Sequence, residues 1–491
     1  MKKILVANRG EIALRVMRTI RKMGILSVAV YSEADRNAPH VRYADEAVCI
    51  GPAASAQSYL DANKILDVCK QFKVDGVHPG YGFLSENAEF AQQVEDAGII
   101  FIGPRPSAMR IMGSKLAAKE SVKKYQIPMV PGTDHAITDL KEAKTIADAI
   151  GYPVLIKASA GGGGKGMRVV ERSEDMQEQM ERAISEATSS FGDGSVFIEK
   201  YVSSPRHIEV QVMADNHGNV IHVFERECSI QRRHQKVVEE SPSAIVSPEL
   251  RKKIGDAAVM VAKSCNYSSM GTVEFLMDEK LNYYFLEMNT RLQVEHPVTE
   301  MITGLDLVEW QIRIARGEML TLKQEDLSIR GHAIELRVYA EDPIHNFIPS
   351  IGKLITYQKP YGEGIRVDDG YEQGMDIPIY YDPMIAKLVV HGVDRPDAIR
   401  RMKRAIEDYR IEGVATTLPF GTFVFEHDAF CSGHFDTHFV KNHYQPEKIK
   451  EKEKADAEVA ALLALRLWQD RENILKTVTH SSTNWKRRLT N

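Results

Sequence analysis

The segment Phe285-Leu286-Glu287-Met288-Asn289-Thr290-Arg291-Leu292-Gln293-Val294-Glu295-His296-Pro297 joins a strand-like half to a half rich in charge and amide groups. Side chains alternate between the two faces of a strand, so we expect Tyr283, Phe285, Glu287 and Asn289 to share one face. The oxygen ligands of this segment would then point to the same side.

A second apolar run, residues 272–277, comes shortly before this segment and predicts a β-hairpin with it. If Asp278 pairs with Tyr283 across the loop, Glu274 lies directly opposite Glu287. Opposed like charges destabilise a hairpin, because their Cβ atoms are only about 4.5–5.5 Å apart, unless a cation lies between them.

Glu274, Glu287 and Asn289 together form a candidate metal site. Two carboxylates and an amide oxygen suit Mg²⁺ or Mn²⁺, hard ions that usually also hold nucleotide phosphates. The hairpin alone leaves an alternative open, in which the two carboxylates are solvated charges on an exposed face.

Length and composition indicate a multidomain enzyme. At ~150 residues per domain, 491 residues correspond to about three domains. The net charge of -5 gives no reason to expect nucleic acid as the main partner. No long apolar stretch predicts a membrane span, and Met1-Lys2-Lys3 leads into a strand and not into a secretory core, so we expect a cytoplasmic location.

The five cysteines are scattered without a C-x-x-C pair, which is typical of a reducing compartment. Cys228 lies in a charged run, where neighbouring cations can lower a thiol pKa and make a nucleophile. We expect it instead to be a packed neighbour of the site.

The first hundred residues alternate strands with amphipathic helices, which predicts βαβ units and a parallel sheet. Strands are expected at residues 4–7, 27–31 and 76–78, and helices at 11–23 and 59–71. The first turn lacks the G-x-G-x-x-G spacing of a dinucleotide site. The loop at residues 78–87 follows a strand, where open α/β sheets tend to bind ligands, although a simple glycine and proline turn has the same composition.

A glycine loop between two strands is the candidate phosphate flap. Lys157 ends the first strand, and Gly161, Gly162, Gly163, Gly164 and Lys165 follow. Bare backbone N–H groups can wrap phosphate oxygens, and the flanking lysines favour that role over a flexible linker. The spacing is not that of a Walker loop. One helical connector, residues 107–125, is expected to carry Lys115.

The later chain predicts a strand at residues 196–202 that ends the flap section. It also predicts a strand within 331–341, which includes residues 332–339, and then an α+β lobe with a helix at 397–409. The tail becomes charged at residues 446–454, as in a solvated linker or a helix start. Apolar side chains then recur at helical spacing and must pack on this chain or on a partner. This stripe consists of Ala460, Leu463, Ala464, Leu467 and Trp468.

The flap and the acidic hairpin resemble those of ATP-grasp ligases, and four longer motifs are more specific. These are ANRGEIA at 7–13, HPGYGFLSEN at 78–87, QRRHQK at 231–236 and RLQVEHPVTEM at 291–301. Together they resemble the biotin carboxylases over about residues 1–445. The resemblance implies an α/β and α+β multidomain fold. Its parts would be an N-terminal Rossmann-like parallel sheet (1–113), a central ATP-grasp domain (114–330) with a mobile lid (about 131–203), and a C-terminal α+β biotin carboxylase lobe (331–446), followed by a charged linker and helical tail (447–491).

The resemblance also implies a reaction: ATP phosphorylates bicarbonate to carboxyphosphate, whose breakdown gives CO₂ that biotin N1′ attacks. Arg291, Lys236, Gln293 and the Val294 N–H would hold bicarbonate, since a guanidinium binds a planar anion bidentately. Glu295 would be the base. Arg337 and Tyr81 would bind biotin, and Arg337 would steady its ureido oxygen as negative charge develops there.

Further positions match the family's cofactor contacts. The expected metal ligands are Glu274, Glu287 and Asn289, for Mg²⁺ or Mn²⁺ with two ions. The expected ATP-binding residues are Lys115, Lys157, Gly161, Gly162, Gly163, Gly164, Glu199, Lys200, Val202, His207, Gln231, His234 and Leu276. For His207 and His234, a structural hydrogen bond is the alternative to a nucleotide contact.

No Ala-Met-Lys-Met hairpin is present, since Lys2 and Lys403 follow methionines in other settings. We therefore expect biotin on a separate carrier protein. The expected partners are that carrier and a carboxyltransferase subunit of an acetyl-CoA, propionyl-CoA or pyruvate carboxylase, with the chain a homodimer or part of a larger complex. Two alternatives are an ATP-grasp ligase that makes carbamoyl phosphate and a non-catalytic nucleotide-binding protein. The second should have lost a metal ligand or the base, and neither is lost here.

Overall fold

Residues 1–133, 135–158 and 167–479 are described by the computed structural model. The predicted glycine flap, Gly161 to Gly164 with Lys165, lies outside the described residues. Within those ranges, no helix combines the length and the apolar character that crossing a membrane requires.

The N-terminal part is a parallel five-stranded sheet of order β3-β2-β1-β4-β5. Ile4, Leu5 and Val6 of the central strand are all fully buried, as expected when helices cover both faces. The predicted parallel sheet is confirmed. Its elements are β1 (Lys3–Val6), α1 (Gly10–Lys22), β2 (Leu26–Ser32), α2 (Pro39–Tyr43), β3 (Glu46–Gly51), α3 (Ala62–Phe72), β4 (Gly76–His78), α4 (Ala88–Asp96), β5 (Ile100–Phe101) and α5 (Pro106–Gly113).

The predicted single helix at residues 107–125 is wrong, because two helices occupy this stretch. The first, α5, ends at Gly113, and α6 (Lys115–Lys123) begins after Ser114. Ser114 is extended, with φ -102° and ψ 116°, and its side chain accepts a hydrogen bond from the Ala117 N–H. Such N-caps start new helices. As a result, Lys115 is the first residue of a helix and not the middle of one.

A separate three-stranded antiparallel sheet of order β7-β6-β8 has its own apolar core with two helices. The strand predicted to reach Val202 ends at Lys200. The elements of this unit are α7 (Leu140–Ile150), β6 (Val154–Ala158), β7 (Arg168–Val170), α8 (Met176–Phe191) and β8 (Val196–Lys200).

The central part contributes five antiparallel strands and three helices. One face of strands β9, β12 and β13 packs on the apolar core beneath α9, and the opposite face carries polar residues. The elements are β9 (Arg206–Ala214), β10 (Val220–Arg232), β11 (Gln235–Ser241), α9 (Pro248–Ser264), β12 (Ser269–Met277), β13 (Tyr283–Asn289), α10 (His296–Thr303) and α11 (Leu307–Ala315).

The β12–β13 hairpin confirms that Glu274 lies opposite Glu287, but its register near the loop differs from the prediction. Met277 pairs with Tyr283 in place of Asp278, and a register shift between Phe275 and Glu274 leaves Leu286 as an extra residue. This is a β-bulge.

The bulge corrects the predicted faces. Phe285 and Met288 lie in the buried core, with Tyr283 packed against it. Glu287 and Asn289 are on the opposite face, paired with Glu274 and Thr272. Phe285 therefore does not share a face with Glu287, because the inserted residue shifts the alternation by one.

The C-terminal part extends the same sheet, because β14 pairs with β11. The resulting eight-stranded sheet has the order β13-β12-β9-β10-β11-β14-β21-β19. The strands of this part are β14 (His332–Tyr339), β15 (Glu341–Asp342), β16 (Ile348–Pro349), β17 (Gly352–Lys353), β18 (Thr356–Gln358), β19 (Ile365–Asp369), β20 (Asp376–Ile377), β21 (Met384–Gly392) and β22 (Arg410–Glu412). Its helices are α12 (Arg395–Asp408), α13 (Leu418–Glu426), α14 (Asp428–Cys431) and α15 (Phe439–His443).

The tail forms one long helix, α16 (Pro446–Thr479), so the charged stretch is helical and not a linker. Within the described residues, the predicted apolar stripe does not pack on this chain. Leu463, Leu467 and Trp468 are 58%, 69% and 57% exposed.

Candidate active site

A row of four charged residues crosses the polar face of the large sheet. Arg226 on β10 is opposite Glu209 on β9, which is opposite Glu274 on β12, which is opposite Glu287 on β13. Arg226 and Glu209 are fully buried and ion-paired. Three carboxylates side by side in a buried row require more cations than one arginine provides.

Lys236 on β11 supplies the second cation. Its Nζ lies 2.6 Å from Glu209 Oε2, 3.0 Å from Glu274 Oε1 and 2.8 Å from Glu295 Oε1. Burial alone would lower the pKa of Lys236, but the carboxylates outweigh it and hold this pKa well above its usual value. Lys236 is therefore a fixed positive charge at the centre of the site.

His207, Glu209 and Glu274 are close enough together to resemble a metal site. The Lys236 ammonium, however, already binds both carboxylates. His207 Nε2 lies 3.0 Å from Glu274 Oε2. Although burial would lower the pKa of His207, the Glu274 carboxylate raises it overall. This group is thus an internal ion-pair network, and His207 is bound to a predicted metal ligand.

Glu274, Glu287 and Asn289 meet the requirements of a hard divalent cation. The pKa of Glu287 is raised, first by burial and then by the charge of Glu274. A bound cation would remove the repulsion that remains between these carboxylates. Asn289 Nδ2 donates to Glu274 Oε1 at 2.8 Å, which places its amide beside the pair.

The segment after β13 is held by Glu86, from the loop that follows β4. Glu86 accepts hydrogen bonds from Arg291 Nε at 2.8 Å and from the Thr290 N–H at 3.0 Å. Arg291 also donates to Gln293 Oε1 at 3.0 Å and to Asn289 Oδ1 at 3.2 Å. The guanidinium therefore lies between the candidate metal ligands and Gln293.

Glu295 is fully buried and lies between two cations. Its Oε1 accepts from Lys236, and its Oε2 accepts from Arg337 Nη2 at 2.9 Å. Burial would raise the pKa of Glu295, but Lys236 and Arg337 hold it well below its usual value. In this arrangement Glu295 is an ionised carboxylate of low basicity.

Arg337 on β14 connects Glu295 to a second pair of acids. Its Nε donates to Glu239 Oε1 at 2.6 Å, and Glu239 is paired across the sheet with Glu335. Burial raises the pKa of Glu239 to about 7 and that of Glu335 well above its usual value. Neither oxygen of Glu335 has a hydrogen-bond partner within the described part of the chain.

The predicted nucleotide residues that the structure describes lie on or next to the small sheet, on α6, and on or next to the large sheet. Lys157 Nζ is 2.5 Å from Glu199 Oε2, and Lys119 of α6 binds the other oxygen of that carboxylate. Burial lowers the pKa of Lys115, while Glu287 opposes this shift. Lys200 donates to the Gly151 and Tyr152 carbonyls at 2.8 and 3.0 Å, so its ammonium is bound to backbone.

His234 lies in an unusual turn. Arg233 and His234, with φ of 49° and 66°, form the two-residue connection between β10 and β11. This left-handed backbone matches the twist of a tight hairpin but normally selects Asn and Gly. Gln231, just before it, donates to the Cys228 carbonyl at 2.8 Å.

Leu276 pairs with His207 on the same face as Glu274, and Val202 is in the loop after β8. Tyr81 lines a cavity of about 480 Å³ together with Arg291, Val294 and Arg337. Its hydroxyl donates to Glu11 Oε1.

Cys228 is fully buried, and its Sγ is 3.9 Å from Glu295 Oε1. Burial and the nearby Glu209 charge raise the pKa of this thiol well above its usual value. The conditions that make a cysteine nucleophilic are therefore not met, in agreement with the prediction of a packed neighbour.

The sequence reasoning missed several residues that hold this site: Glu86, Lys119, Glu209, Arg226 and Glu239. A usable signal existed for Glu209, because His207, Glu209 and Gln211 alternate with apolar residues in β9. Polar residues on one face of a strand in a large enzyme indicate a site as readily as they indicate solvent. Lys119 and Glu86 offered no such pattern.

Three family models match the chain in succession. Residues 1–109 match the biotin carboxylase N-terminal domain, 114–323 the ATP-binding domain of the carbamoyl-phosphate synthase L chain, and 335–442 the biotin carboxylase C-terminal domain. The chain belongs to the biotin carboxylase family. It is accordingly an ATP-dependent ligase, and the predicted family is confirmed.

Relatives agree with this membership. The biotin carboxylase of Halalkalibacterium halodurans is 53% identical over 442 residues, 90% of this chain and 98% of that protein. Biotin carboxylase 1 of Bacillus subtilis is 52% identical over 443 residues, again 90% of this chain and 98% of that protein. A crystal structure of the biotin carboxylase domain dimer of Hydrogenobacter thermophilus 2-oxoglutarate carboxylase, with MgADP, ADP and bicarbonate, has a TM-score of 0.86 at 50% identity. The match covers 90% of this chain and 97% of that one. This biotin carboxylase structure confirms the predicted ATP-grasp fold class.

Proposed function

We propose that this chain carboxylates biotin with bicarbonate, using ATP and Mg²⁺, as the first half-reaction of an acyl-CoA or pyruvate carboxylase. The observation that carries the proposal is the position of Glu295, whose two oxygens bind Lys236 and Arg337. A single carboxylate thus joins the proposed bicarbonate site to the proposed biotin site.

Bicarbonate would bind to Arg291, Lys236, Gln293 and the Val294 N–H. Arg291 is supported for this role because Glu86 fixes its Nε while its other nitrogens face Gln293 and Asn289. A planar guanidinium held on one edge presents the remaining N–H groups to a planar anion.

Glu295 would take the bicarbonate proton, but its two cation partners first have to release it. With Lys236 and Arg337 bound, its low pKa makes it a weak base. Bicarbonate at Lys236 and a biotin oxygen at Arg337 would compete for those cations and so raise the basicity of Glu295. Base strength would then depend on both substrates being present.

Arg337 would stabilise the negative charge that develops on the biotin ureido oxygen. Glu239 holds the guanidinium in place through its Nε. Tyr81, in the wall of the 480 Å³ cavity, would contact the biotin ring.

Glu274, Glu287 and Asn289 would hold Mg²⁺, or Mn²⁺, and two ions are proposed. A bound ion there would neutralise ATP phosphate charge. On the protein side, Lys115 and Lys157 would bind phosphate oxygens, and Glu199, Lys200 and Val202 would face the adenine. His207, Gln231, His234 and Leu276 would complete the pocket, with the glycine flap as its cover.

The decisive experiment compares two acceptors in ATP hydrolysis by the purified chain. Free biotin should raise bicarbonate-dependent hydrolysis and yield carboxybiotin, whereas ammonium should leave it unchanged. Stimulation by ammonium with carbamoyl phosphate as product would favour the carbamoyl phosphate ligase instead. Failure of the wild-type chain to hydrolyse ATP under any of these conditions would contradict both.

The proposed partners are a biotin carrier and a carboxyltransferase, with pairing of two copies of the chain. The exposed apolar residues of α16, including Leu462, Leu467 and Trp468, support the tail as the docking segment. Deletion of residues 450–491 should weaken assembly with the native partner proteins while sparing turnover of free biotin. Unchanged assembly would contradict this role for the tail.

The identity of the final acceptor belongs to the carboxyltransferase, so purification with native partners is the direct route to it. The domain limits 1–113, 114–330, 331–446 and 447–491 and a cytoplasmic location stay predictions. Limited proteolysis would test the limits and fractionation the location.

A further inference from the structure

Lys387, on β21, is a fully buried lysine to which the reaction outlined above gives no role. It is paired in register with Arg337 on β14 and with Asp368 on β19. Directly paired residues share a face of the sheet, so Lys387 lies on the side that faces the site. A buried ammonium is costly unless it is well bonded, so its contacts indicate its purpose.

Those contacts come from three distant parts of the chain. The Lys387 Nζ donates to the Val294 carbonyl at 3.0 Å, and it lies 3.2 Å from Glu11 Oε1 and 3.9 Å from Asp368 Oδ2. Glu11 is in the first turn of α1, and Val294 is in the segment after β13. The lysine thus connects helix α1 of the N-terminal part, the C-terminal part, and the segment after β13 that is proposed to bind bicarbonate.

The Val294 carbonyl belongs to the peptide that leads into Glu295, the proposed base. It shares a planar peptide with the Glu295 N–H and Cα, so holding the carbonyl restricts the position of the backbone that carries the Glu295 side chain. A hydrogen bond from an ammonium to this carbonyl is of the stronger, charge-assisted kind. Lys387 therefore constrains the base without touching it.

The same contacts extend to the proposed biotin site. Tyr81 donates its hydroxyl to Glu11 Oε1, the oxygen that also faces Lys387. Tyr81 lines the cavity with Arg337 and Val294. The other oxygen, Glu11 Oε2, has no hydrogen-bond partner among the described residues, so these two contacts determine how the carboxylate is held.

We propose that Lys387 is a positioning residue for bicarbonate activation, and that Tyr81, Glu11 and Lys387 form a chain of contacts linking the biotin cavity to the Val294–Glu295 peptide. The inference rests on the proposed function and assigns residues to its regulation. Occupation of the biotin cavity would then influence bicarbonate binding through Tyr81.

The experiment measures bicarbonate-dependent ATP hydrolysis by the full chain in the absence of biotin. Lys387→Met should raise the KM for bicarbonate about tenfold or more, while the KM for ATP changes less than about twofold. Lys353→Met, at an exposed lysine of β17 in the same part of the protein, is the matched control and should leave both constants unchanged. A purely structural role would instead raise the KM values for bicarbonate and for ATP by similar factors.

Tyr81→Phe provides the second test, because it removes only the hydroxyl that reaches Glu11. It should raise the KM for bicarbonate about two- to fivefold even without biotin, and its effect should be less than additive with that of Lys387→Met. A Tyr81 that only packs on biotin would change no constant in this assay.

Folding of each variant is checked by circular dichroism and by binding of MgADP. If Lys387→Met does not fold, Glu11→Gln and Tyr81→Phe provide the test, and an unchanged KM for bicarbonate in both would overturn the proposal. An unchanged value in folded Lys387→Met would do the same. A wild-type chain that shows no biotin-dependent activity would contradict the proposed function, which distinguishes the two failures.

Discussion

Replacement of Glu287 by glutamine should stabilise the ligand-free protein while weakening its hold on MgATP. Glu287 is paired across the hairpin with Glu274, and both burial and that charge raise its pKa. An acid whose pKa is raised on folding destabilises the protein above that pKa and has no effect well below its unfolded value. Removing the charge should therefore raise the free energy of unfolding at neutral pH.

The expected gain follows from the geometry of the hairpin. A directly opposed like-charge pair is worth about 0.2–1 kcal/mol, which corresponds to a rise of about 0.5–2.5 °C in the Tm of a unit of roughly 200 residues. The gain should fade as the pH falls toward about 4, where the carboxylate is protonated in the unfolded chain as well.

The stabilisation that MgATP gives should be smaller in Glu287→Gln than in wild type. MgATP at a hundred times its Kd stabilises by about 2.7 kcal/mol, and a tenfold loss of affinity reduces that to about 1.4 kcal/mol. Thermal unfolding with and without MgATP measures both effects, and Glu279→Gln in the exposed hairpin loop is the control. A variant less stable than wild type without ligand, yet equally stabilised by MgATP, would refute the reasoning.

Three further predictions concern the same site. The pKa values of Glu274 and Glu295 are lowered on folding, so their stabilising effect is present above about pH 4.3 and is lost as the pH falls toward their folded values. Urea unfolding measures the free energy of unfolding between pH 7 and 3, and Lys236→Met should lose less of it over this range than wild type. An equal loss in both proteins would contradict this prediction. Cys228→Ala should keep carboxylation of free biotin within about twofold of wild type, whereas loss of all activity would support a nucleophilic role for Cys228. The unit built on the small sheet β6–β8 has its own core and is the predicted lid. If this lid closes over the nucleotide, small-angle scattering should show a more compact protein with MgATP, and no change would argue against closure.

Sequence reasoning reached the fold through patterns that are local. A strand within residues 331–341 was predicted and is observed at His332–Tyr339, and the Glu274–Glu287 pairing was predicted as well. The bulge at Leu286 was not, because a single extra residue leaves an apolar strand looking regular. The break at Ser114 was missed although a local signal existed, because glycine is common at helix ends and serine at N-caps.

The electrostatics of the site were less accessible to the sequence. Glu295 was predicted as a base, but its low basicity depends on Lys236 and Arg337, which reach it from β11 and β14. The contact between Lys387 and the Val294 carbonyl joins residues 93 positions apart and leaves no trace in either local pattern. Such long-range polar contacts depend on the assembled sheet.

The left-handed turn at Arg233 and His234 lowers the stability of the folded protein. Left-handed backbone costs a residue with a side chain roughly 1–2 kcal/mol, so two such residues in succession cost about twice that. Asn-Gly at these positions would recover part of this energy, and an effort at thermal stabilisation would choose it early. Because the imidazole of His234 is proposed to meet the nucleotide, the same exchange would trade activity for heat resistance. The turn is therefore a poor first target for engineering, despite the cost of its two left-handed residues.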